Sequence, residues 1–314
     1  MKTVDIVLPA YNEEEGIAAF HEALTAAIRP LESRYRFQVI YVLDRSRDNT
    51  FGVLRELAAR NANVTVLHLS RRFGHQMSLV AGIDHSDADA VIMMDCDHQH
   101  PPGMIPLLLG KFEEGYEIVH TIREYDDKTG FLKRSTSQLF YQVQNALSPI
   151  ALPMGAADFR LISRKVAKVF RTAIREQNQF LRGLFHWVGF STTTIAYTSA
   201  PRKAGQTKYR PGRLLAFAIA GMLSFSKLPL RIASLIGLMI STLSLFYGLF
   251  LVFFFFWAGN IPPGYTSMIV IILFIGGLQL TVLGIIGEYL GSIFDEVKGR
   301  PLYVIDEIVR SETA

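Results

Sequence analysis

The sequence predicts an α/β domain with a doubly wound, mostly parallel β-sheet, followed by interfacial helices and two transmembrane helices. Short apolar runs alternate with helix-like segments through the first 121 residues, and two long uncharged apolar runs lie near the C-terminus. Such alternation is typical of right-handed βαβ units, whose ligands bind beyond the carboxyl ends of the strands. We therefore expect a ligand-binding domain that is tied to a membrane.

Five apolar runs are predicted as strands because several of them are apolar on both faces, which suits the interior of a parallel sheet. These strands are Val4–Leu8, Phe37–Leu43, Val64–Leu69, Ala90–Asp95 and Glu117–Thr121. The segments between them are predicted as helices, at Glu13–Ile28, Thr50–Arg60, Gln76–His85 and Pro102–Phe112. The polar residues that follow the first, second and fourth strands should therefore meet at one edge of the sheet.

The two uncharged runs are Ile232–Ala258 and Met268–Gly287, and each has at least the roughly 20 apolar residues that cross a bilayer. The loop 259–267 between them carries no charge, whereas Lys and Arg flank the pair, at Lys227, Arg231, Lys298 and Arg300. The positive-inside rule then places the N-terminal domain and both chain termini in the cytoplasm. The expected location is the inner (plasma) membrane, with a multi-pass topology.

The predicted organisation has four parts. Residues 1–210 form the cytoplasmic domain, 211–231 a juxtamembrane helix, 232–291 the transmembrane hairpin and 292–314 a cytoplasmic tail. Within the first part, 131–147 has the apolar spacing of an interfacial helix, although ordinary packing on the domain core would explain it equally well. No Asp or Glu occurs between Glu176 and Glu288, and this basic stretch suits either a solvated face or anionic lipid.

The triplet Asp95-Cys96-Asp97 follows a buried-type strand, where paired carboxylates can hold Mg²⁺ or Mn²⁺ together with a substrate diphosphate. Most Asp-x-Asp pairs are solvated turns, so its position after a strand is what favours a metal site here. Cys96 is the only cysteine, which excludes an intrachain disulfide and fits a reducing compartment. Zinc is disfavoured because no Cys/His framework with zinc spacing surrounds the nearby histidines, His75, His98 and His100.

Two nucleotide-binding signatures do not occur in the sequence. Without G-x-G-x-x-G after the first strand, a dinucleotide oxidoreductase is disfavoured, and without G-x-x-x-x-G-K-[ST] a P-loop NTPase is disfavoured.

A series of motifs runs in order along nearly the whole chain: IVLPAYNEEEGI (6–17), VLDRSRDNT (42–50), RRFGHQMSLVAGI (71–83), MDCDHQHPP (94–102), ADFRLISR (157–164), FLRGL (180–184), AGQTKY (204–209) and GRPLYVIDEIV (299–309). Together with the two apolar runs, this series resembles family-2 glycosyltransferases of the polyprenyl-phosphate group, which includes dolichol-phosphate mannose synthase and the bactoprenol glucosyltransferases. The resemblance implies a GT-A fold and inverting transfer of a sugar from a nucleotide sugar to a polyprenyl phosphate at the membrane.

The same resemblance implies roles for individual residues. The nucleotide-binding set would be Pro9, Ala10, Tyr11, Glu13, Asp44, Asp95 and Gln99. Asp95 and Asp97 would hold Mg²⁺ or Mn²⁺, and Asp97 and Asp158 would be catalytic. The residues that neutralise the phosphates of donor and acceptor would be Arg123, Lys133, Arg134, Arg160, Arg202 and Lys208.

Three segments depart from the pattern of this group. Leu43-Asp44-Arg45-Ser46 stands where D-D-G-S is usual, DCDHQHPP stands where D-A-D-L-Q-D-P-P is usual, and His75 stands where a Lys is common. The first departure bears on recognition of the base. The histidines bear on metal preference and on the response to pH.

Two other functions stay open. A processive polysaccharide synthase of the same fold would carry Q-x-x-R-W and more membrane helices, whereas Gln179-x-x-Arg182 is followed here by Gly183. A non-catalytic membrane scaffold that binds nucleotide sugars would explain Leu43. UDP-glucose is the expected donor because FLRGL resembles the glucosyl members, while GDP-mannose and other UDP-sugars remain alternatives.

The expected partners are the nucleotide sugar, the lipid acceptor, the membrane and further copies of the chain, with no nucleic acid. The tail 299–309 alternates well enough to form a strand, and an exposed strand edge is usually covered. The resemblance implies that this tail joins protomers, so a homo-oligomer, specifically a tetramer, is expected.

Overall fold

The computed structural model describes residues 1–124, 156–198, 228–258 and 264–311. The chain divides into two compact units, of which the first combines Met1–Ala218 with Arg300–Ala314 and the second is Ile219–Gly299. The C-terminal tail therefore belongs to the same unit as the N-terminal domain.

The first unit is built on an eight-stranded sheet with the order β7-β5-β6-β4-β1-β2-β3-β8. Its strands are β1 (Lys2–Ala10), β2 (Tyr35–Leu43), β3 (Val64–Leu69), β4 (Ala90–Met93), β5 (Ile118–Glu124), β6 (Ala156–Ser163), β7 (Thr192–Thr198) and β8 (Ile305–Arg310). The pairs β1–β2, β2–β3, β1–β4 and β5–β7 are parallel, and the other three are antiparallel. The predicted α/β class with a mostly parallel sheet is confirmed.

The described part of this unit contains six α-helices: α1 (Ile17–Ile28), α2 (Thr50–Arg60), α3 (His75–Asp84), α4 (Ile105–Glu113), α5 (Arg164–Thr172) and α6 (Leu181–Trp187). Helix α1 buries Ile17, Phe20, Leu24 and Ile28, whose spacing is that of one helical face. Helix α3 approaches β1 closely, because a Cβ built at Gly82 would lie 2.1 Å from Cγ1 of Val7. The core therefore lies between the sheet and the helices that cover it.

Several predicted element boundaries differ from the observed ones by a few residues, and local hydrogen bonds explain two of these differences. The first helix begins at Ile17 rather than Glu13, because the Glu13 carbonyl accepts the N–H groups of Gly16 and Ile17 in a preceding turn. The fourth strand ends at Met93 rather than Asp95, because the Asp95 N–H leaves the ladder and donates to a His100 ring nitrogen. The sequence pattern does not predict β6 or β7 as strands.

The described residues of the second unit include two long helices, α7 (Leu228–Ala258) and α8 (Tyr265–Val297). Among the described residues, one helical segment, Phe274–Val297, is long and apolar enough to cross a membrane, and a shorter apolar stretch covers Ala233–Tyr247. The hairpin of two membrane-spanning helices is therefore not confirmed and stays a prediction. The expected interfacial helix at 131–147 and residues 211–227 of the expected juxtamembrane helix lie outside the described residues.

The tail after α8 forms the predicted strand, β8, and that strand pairs antiparallel with β3 of the same chain. Val304 adds a further backbone contact, because its carbonyl accepts the Ser70 N–H at 2.9 Å. The Tyr303 hydroxyl donates to Asp84, which also forms a salt bridge with Arg175. The tail thus completes one edge of the sheet, and its predicted use between protomers stays a prediction.

Candidate active site

The candidate site lies where the strand order of the sheet reverses. Strands β2 and β3 follow β1 on one side, whereas β4 pairs with its other side, so the switch point falls between β1 and β4. Loops at such a point are the usual ligand sites of open α/β sheets. Pro9 and Ala10 end β1 there, and Asp95 follows β4. The thiol of buried Cys96 joins the two loops, because it donates to the Pro9 carbonyl at 3.3 Å.

Hydrogen bonds join the loop after β1 to the segment after β2. Asn12 has the positive φ of +55° that Asn tolerates, and its side chain accepts the Arg47 N–H at 2.9 Å. Its own N–H donates to the Ser46 hydroxyl, and the Glu13 N–H donates to the Thr50 hydroxyl. The Arg72 guanidinium lies 4.1 Å from the centre of the neighbouring Tyr11 ring. The loop after β1, held in this way, contains Tyr11 and Glu13, two of the predicted nucleotide-binding residues.

Asp44 follows β2 and is almost fully buried. Its two carboxylate oxygens accept the backbone N–H groups of Phe73 at 2.8 Å and Gly74 at 2.9 Å. The predicted nucleotide-binding carboxylate thus also holds the loop that leads into α3. Sequence motifs did not predict this contact, because it joins residues 29 and 30 positions apart.

Asp95 is contacted by two histidines in different ways. Nε2 of His75 lies 2.7 Å from Oδ1 of Asp95. Burial disfavours charge on both side chains, but their mutual attraction outweighs it, raising the pKa of His75 to about 9 and lowering the pKa of Asp95 to about 2. The His75 side chain is 40% exposed, so solvent weakens this pair relative to a buried one.

His100 supports the backbone of Asp95. The Asp95 N–H donates to Nδ1 of His100 at 2.8 Å. The same nitrogen lies 3.6 Å from the Asp95 carboxylate. His100 is buried and stacks on Phe159, with ring centres 5.2 Å apart. It therefore fixes the backbone of the Asp-x-Asp loop.

Asp97 begins a tight turn in this loop. Its Oδ1 accepts the Gln99 N–H at 3.1 Å, as short Asp side chains do in turns, and His98 has a positive φ of +62°. The Gln99 side chain accepts a hydrogen bond from Arg123 at 3.1 Å. Gln99 and Arg123, both predicted site residues, are therefore joined beside the Asp-x-Asp pair.

The donor set at Asp95 and Asp97 fits a hard divalent cation that keeps ligands from its substrate. Mg²⁺ and Mn²⁺ accept oxygen ligands, and Mg²⁺ commonly binds through one or two carboxylates plus phosphates. Among the described residues, no group of three or more His, Cys, Asp or Glu could hold a metal by itself. Water molecules and substrate phosphate oxygens would complete the coordination.

Asp158 lies on β6 and is held by two arginines. Arg182 on α6 binds it in a bidentate manner, with Nε 2.9 Å from Oδ1 and Nη2 2.8 Å from Oδ2. Nη2 of Arg160 lies 3.2 Å from Oδ1. Burial raises the pKa of Asp158, but the attraction and hydrogen bonds of Arg182 outweigh it and hold that pKa well below its usual range. The charges of Asp158 and Asp95 lie close enough to repel, so the two carboxylates share one site.

A buried polar layer lies behind Asp158. Arg160 is 2% exposed, and its guanidinium lies 4.6 Å from the centre of the Phe185 ring. Its strand neighbour His120 stacks on His186 with ring centres 4.2 Å apart, and burial together with the Arg160 charge lowers the pKa of His120 to about 2. Within the described residues, Nη1 of Arg160 and Nε2 of His120 have no hydrogen-bond partner. Arg160 therefore lies behind Asp158, where it helps to fix the carboxylate.

Most of the predicted site residues thus come together at the switch point. The described members are Pro9, Ala10, Tyr11, Glu13, Asp44, Asp95, Asp97, Gln99, Arg123, Asp158 and Arg160. Lys133, Arg134, Arg202 and Lys208 lie outside the described residues. Sequence reasoning did not predict that His75, His100 and Arg182 contact these carboxylates, although both histidines stood out as departures from the family pattern and Arg182 belongs to FLRGL.

A doubly wound sheet with an Asp-x-Asp pair at its switch point fits an enzyme that transfers a sugar from a nucleotide. The model of the family described as Glycosyl transferase family 2 matches residues 5–170. The chain belongs to this family. The family match and the sheet together support the GT-A fold that the sequence implied.

Relatives extend the similarity over the full length. The chain is 40% identical over 305 residues to an uncharacterized glycosyltransferase from Synechocystis sp., covering 97% of this chain and 95% of that protein. It is 37% identical over 304 residues to an SfII prophage-derived bactoprenol glucosyl transferase from Shigella flexneri, covering 96% and 97%. A prophage bactoprenol glucosyl transferase homolog from Escherichia coli is 36% identical over 305 residues, covering 97% and 99%.

The solved structures that resemble this chain are more distant. Glucosyl-3-phosphoglycerate synthase from Mycobacterium tuberculosis, in complex with Mn²⁺, UDP-glucose and phosphoglyceric acid, has 20% identity and a TM-score of 0.46. The match covers 71% of this chain and 79% of that one.

Proposed function

We propose that this protein transfers a hexose, specifically glucose from UDP-glucose, to the phosphate of a polyprenyl phosphate at the cytoplasmic face of the membrane. The observation that carries this proposal is the meeting of Asp95, Asp97 and Asp158 at the switch point of a family-2 domain. The choice of glucose and of a lipid acceptor is supported by relatives named bactoprenol glucosyl transferases that match the full chain.

The donor would lie across the carboxyl ends of β1, β2 and β4. Tyr11 offers a ring surface for the base, and Glu13 and Asp44 offer carboxylates for the base and ribose. Pro9 and Ala10 let the backbone approach the nucleoside, and Gln99, already hydrogen-bonded to Arg123, lies on the diphosphate side.

The diphosphate would be bound at Asp95 and Asp97 with Mg²⁺ or Mn²⁺. When bound, such a cation offsets the negative charge that develops on the leaving diphosphate. Asp95 would bind the cation through its carboxylate, which His75 contacts at Oδ1 alone, and His100 would hold the Asp95 backbone. Arg123 adds a fixed positive charge at the same end of the sheet.

The reaction would be a single displacement. A phosphate oxygen of the acceptor forms the new bond to the anomeric carbon, the bond from that carbon to the diphosphate breaks, and the nucleoside diphosphate leaves with the electron pair. The acceptor phosphate is anionic near neutral pH, so positioning and charge stabilisation dominate over proton transfer. Asp158, held ionised by Arg182, would fix the acceptor side, and inversion of an α-linked donor would give a β-linked product.

The decisive experiment measures transfer to a short polyprenyl phosphate from a panel of nucleotide sugars, with the product identified by mass spectrometry. We expect product with UDP-glucose and divalent metal, and loss of at least about 100-fold in rate for Asp97→Asn. The matched control is Asp87→Asn, because the Asp87 side chain is 93% exposed and outside the site.

Each alternative predicts a different result in this assay. Polymeric product would favour a processive synthase, and nucleotide binding without transfer would favour a scaffold. Full activity of Asp97→Asn, or of the wild type in excess EDTA, would contradict the metal site.

A further inference from the structure

Tyr197 lies beside the candidate site, and it belongs to none of the motifs that carried the family resemblance. Strand β7 is parallel to β5, and Tyr197 is the register partner of Arg123. Because β5 and β7 run in the same direction as β4, both residues lie near the strand ends at which the site is found. Partners in register project from the same face of a sheet, so the two side chains are neighbours.

The ring of Tyr197 is held by two aromatic contacts. Its centre lies 5.9 Å from the centre of the Phe159 ring and 6.0 Å from that of His100, and both contacts are edge-to-face. His100 in turn accepts the Asp95 N–H. Tyr197 is only 4% exposed, so its ring has a fixed place next to the Asp-x-Asp loop.

The hydroxyl of Tyr197 differs from its ring, because it has no hydrogen-bond partner within the part of the chain that the structure describes. Buried tyrosines usually satisfy their hydroxyl, so an unpartnered one at a site indicates a place for a ligand atom. Four charged groups of the site lie close enough to act on this hydroxyl, namely Asp95, Asp97, Arg123 and Arg182. The hydroxyl therefore lies among the charges of the site.

This environment keeps the hydroxyl protonated. Burial raises the pKa of Tyr197 to about 12; the Arg123 charge opposes the rise, and the two carboxylates of the Asp-x-Asp pair add to it. At neutral pH the group is thus an O–H donor that requires an acceptor oxygen. The neighbouring Arg123 guanidinium consists of donors alone, so the two side chains together present donors to one acceptor-rich group.

We propose that Tyr197 is a substrate-binding residue whose hydroxyl donates a hydrogen bond to a phosphate oxygen. A phosphate accepts such bonds and matches the positive charge of Arg123, and phosphates are also the ligands that a cation at Asp95 and Asp97 would take from its substrate. The donor diphosphate and the acceptor phosphate share this chemistry, and the experiment below distinguishes them. The inference rests on the proposed function for the identity of the two substrates.

The test is Tyr197→Phe in the full-length protein in detergent. This variant keeps the ring that contacts Phe159 and His100 and removes only the hydroxyl. The matched control is Tyr116→Phe, because Tyr116 precedes β5 at the opposite end of the sheet and is only partly buried. Calorimetry in the presence of Mn²⁺ measures the binding of UDP and of uridine. Transfer assays give the KM of each substrate, and melting curves report folding.

The two sources of the phosphate predict different losses. If the hydroxyl binds the donor diphosphate, Tyr197→Phe weakens UDP binding on the order of tenfold, because a hydrogen bond to a charged group is lost, and leaves uridine binding unchanged. If it binds the acceptor phosphate, UDP binding stays at the wild-type level and the KM for polyprenyl phosphate rises on the order of tenfold. Either pattern supports the proposal, and Tyr116→Phe should show neither.

The other outcomes overturn the proposal. UDP binding and both KM values within about twofold of wild type would show that the hydroxyl binds no phosphate, even if the melting temperature falls. Equal weakening of UDP and uridine binding would place the contact on the nucleoside. A wild type that binds UDP but transfers no sugar would contradict the proposed function, and UDP binding alone would then decide the inference.

Discussion

Two carboxylates of the candidate site are neutralised by the chain itself, and the two pairings differ in strength. Asp95 faces a partly exposed His75, so a bound cation can replace this partner. Asp158 is nearly buried and bound on both oxygens by Arg182, with Arg160 behind it. The first pairing suits a position that must exchange ligands, and the second suits a position that must stay fixed.

Replacing Asp158 tests both of its possible roles. Asp158→Asn leaves Arg160 buried without its anionic partner, so we expect a loss on the order of 3 kcal/mol in stability. If Asp158 also acts beside the acceptor phosphate, the folded variant should bind nucleotide with metal and still lose transfer. A melting curve, nucleotide binding and transfer rate per folded molecule decide. Transfer at the wild-type rate by the folded fraction would leave Asp158 only a structural role.

The pairing of Asp158 also predicts how stability depends on pH. Its pKa in the folded protein lies below the ordinary value of about 3.9, so its contribution is complete above that value and is lost as pH falls toward the folded pKa. The difference in melting temperature between wild type and Asp158→Asn should therefore be largest near neutral pH and shrink below about pH 4. Melting curves of both proteins from pH 7 to pH 3 provide the measurement. A difference that grows on acidification would contradict the assignment.

At the scale of single residues, motifs located the carboxylates but not their partners. Asp95, Asp97 and Asp158 stand in recognisable local patterns, and the structure gathers them at one site. His75 and Arg182 lie 20 and 24 positions from the carboxylates that they bind, and only the folded sheet and helices bring them together. Motifs also did not predict that the Asp44 carboxylate accepts the N–H groups of Phe73 and Gly74, because these bonds depend on how the loop before α3 folds.

At the scale of elements, strands in the interior of the sheet were predictable and the later ones were less so. The burial of β1 and β2 is nearly continuous, which produces the apolar runs seen in the sequence. Strand β6 instead carries Asp158 and Arg160 within the sheet, and β7 is half exposed at the edge, so neither has a simple apolar pattern. The polar residues that obscure β6 are those of the candidate site.

The tail offers a test of how an element is held in place. Tyr303→Phe removes the hydroxyl that donates to Asp84 at 2.8 Å, and we expect a loss of about 1 kcal/mol in the stability of the tail contact. Amides of β8 should then exchange faster, while those of β1 should change little. Tyr116→Phe is the matched control, because Tyr116 packs partly buried against the core away from the tail. Unchanged exchange in β8 would show that the strand pairing alone holds the tail.

At the scale of the whole molecule, β8 is the last strand of the sheet and leaves one edge without a neighbouring strand within the described part of the chain. Edges of this kind pair readily with a second chain, which agrees with the predicted tetramer. Deleting residues 299–314 should shift the detergent-solubilised protein to smaller species, because the β8 edge is lost. An equal, monomeric mass before and after deletion, measured by light scattering, would leave the tetramer without support.

The predicted membrane topology can be tested by labelling introduced cysteines, because the chain has a single native cysteine. The uncharged loop 259–267 between basic flanks predicts that the loop faces away from the cytoplasm and that both termini face it. A cysteine introduced at Asn260, outside the described residues, should react with an impermeant thiol reagent added to intact cells. The native thiol gives little background, because Cys96 is 3% exposed and burial raises its pKa well above the ordinary value. A cysteine at Arg47, in the surface loop after β2, is the matched control and should react only after the membrane is opened. Labelling of the Asn260 cysteine only in opened cells would place both positions on the same side and would contradict a hairpin that crosses the membrane twice.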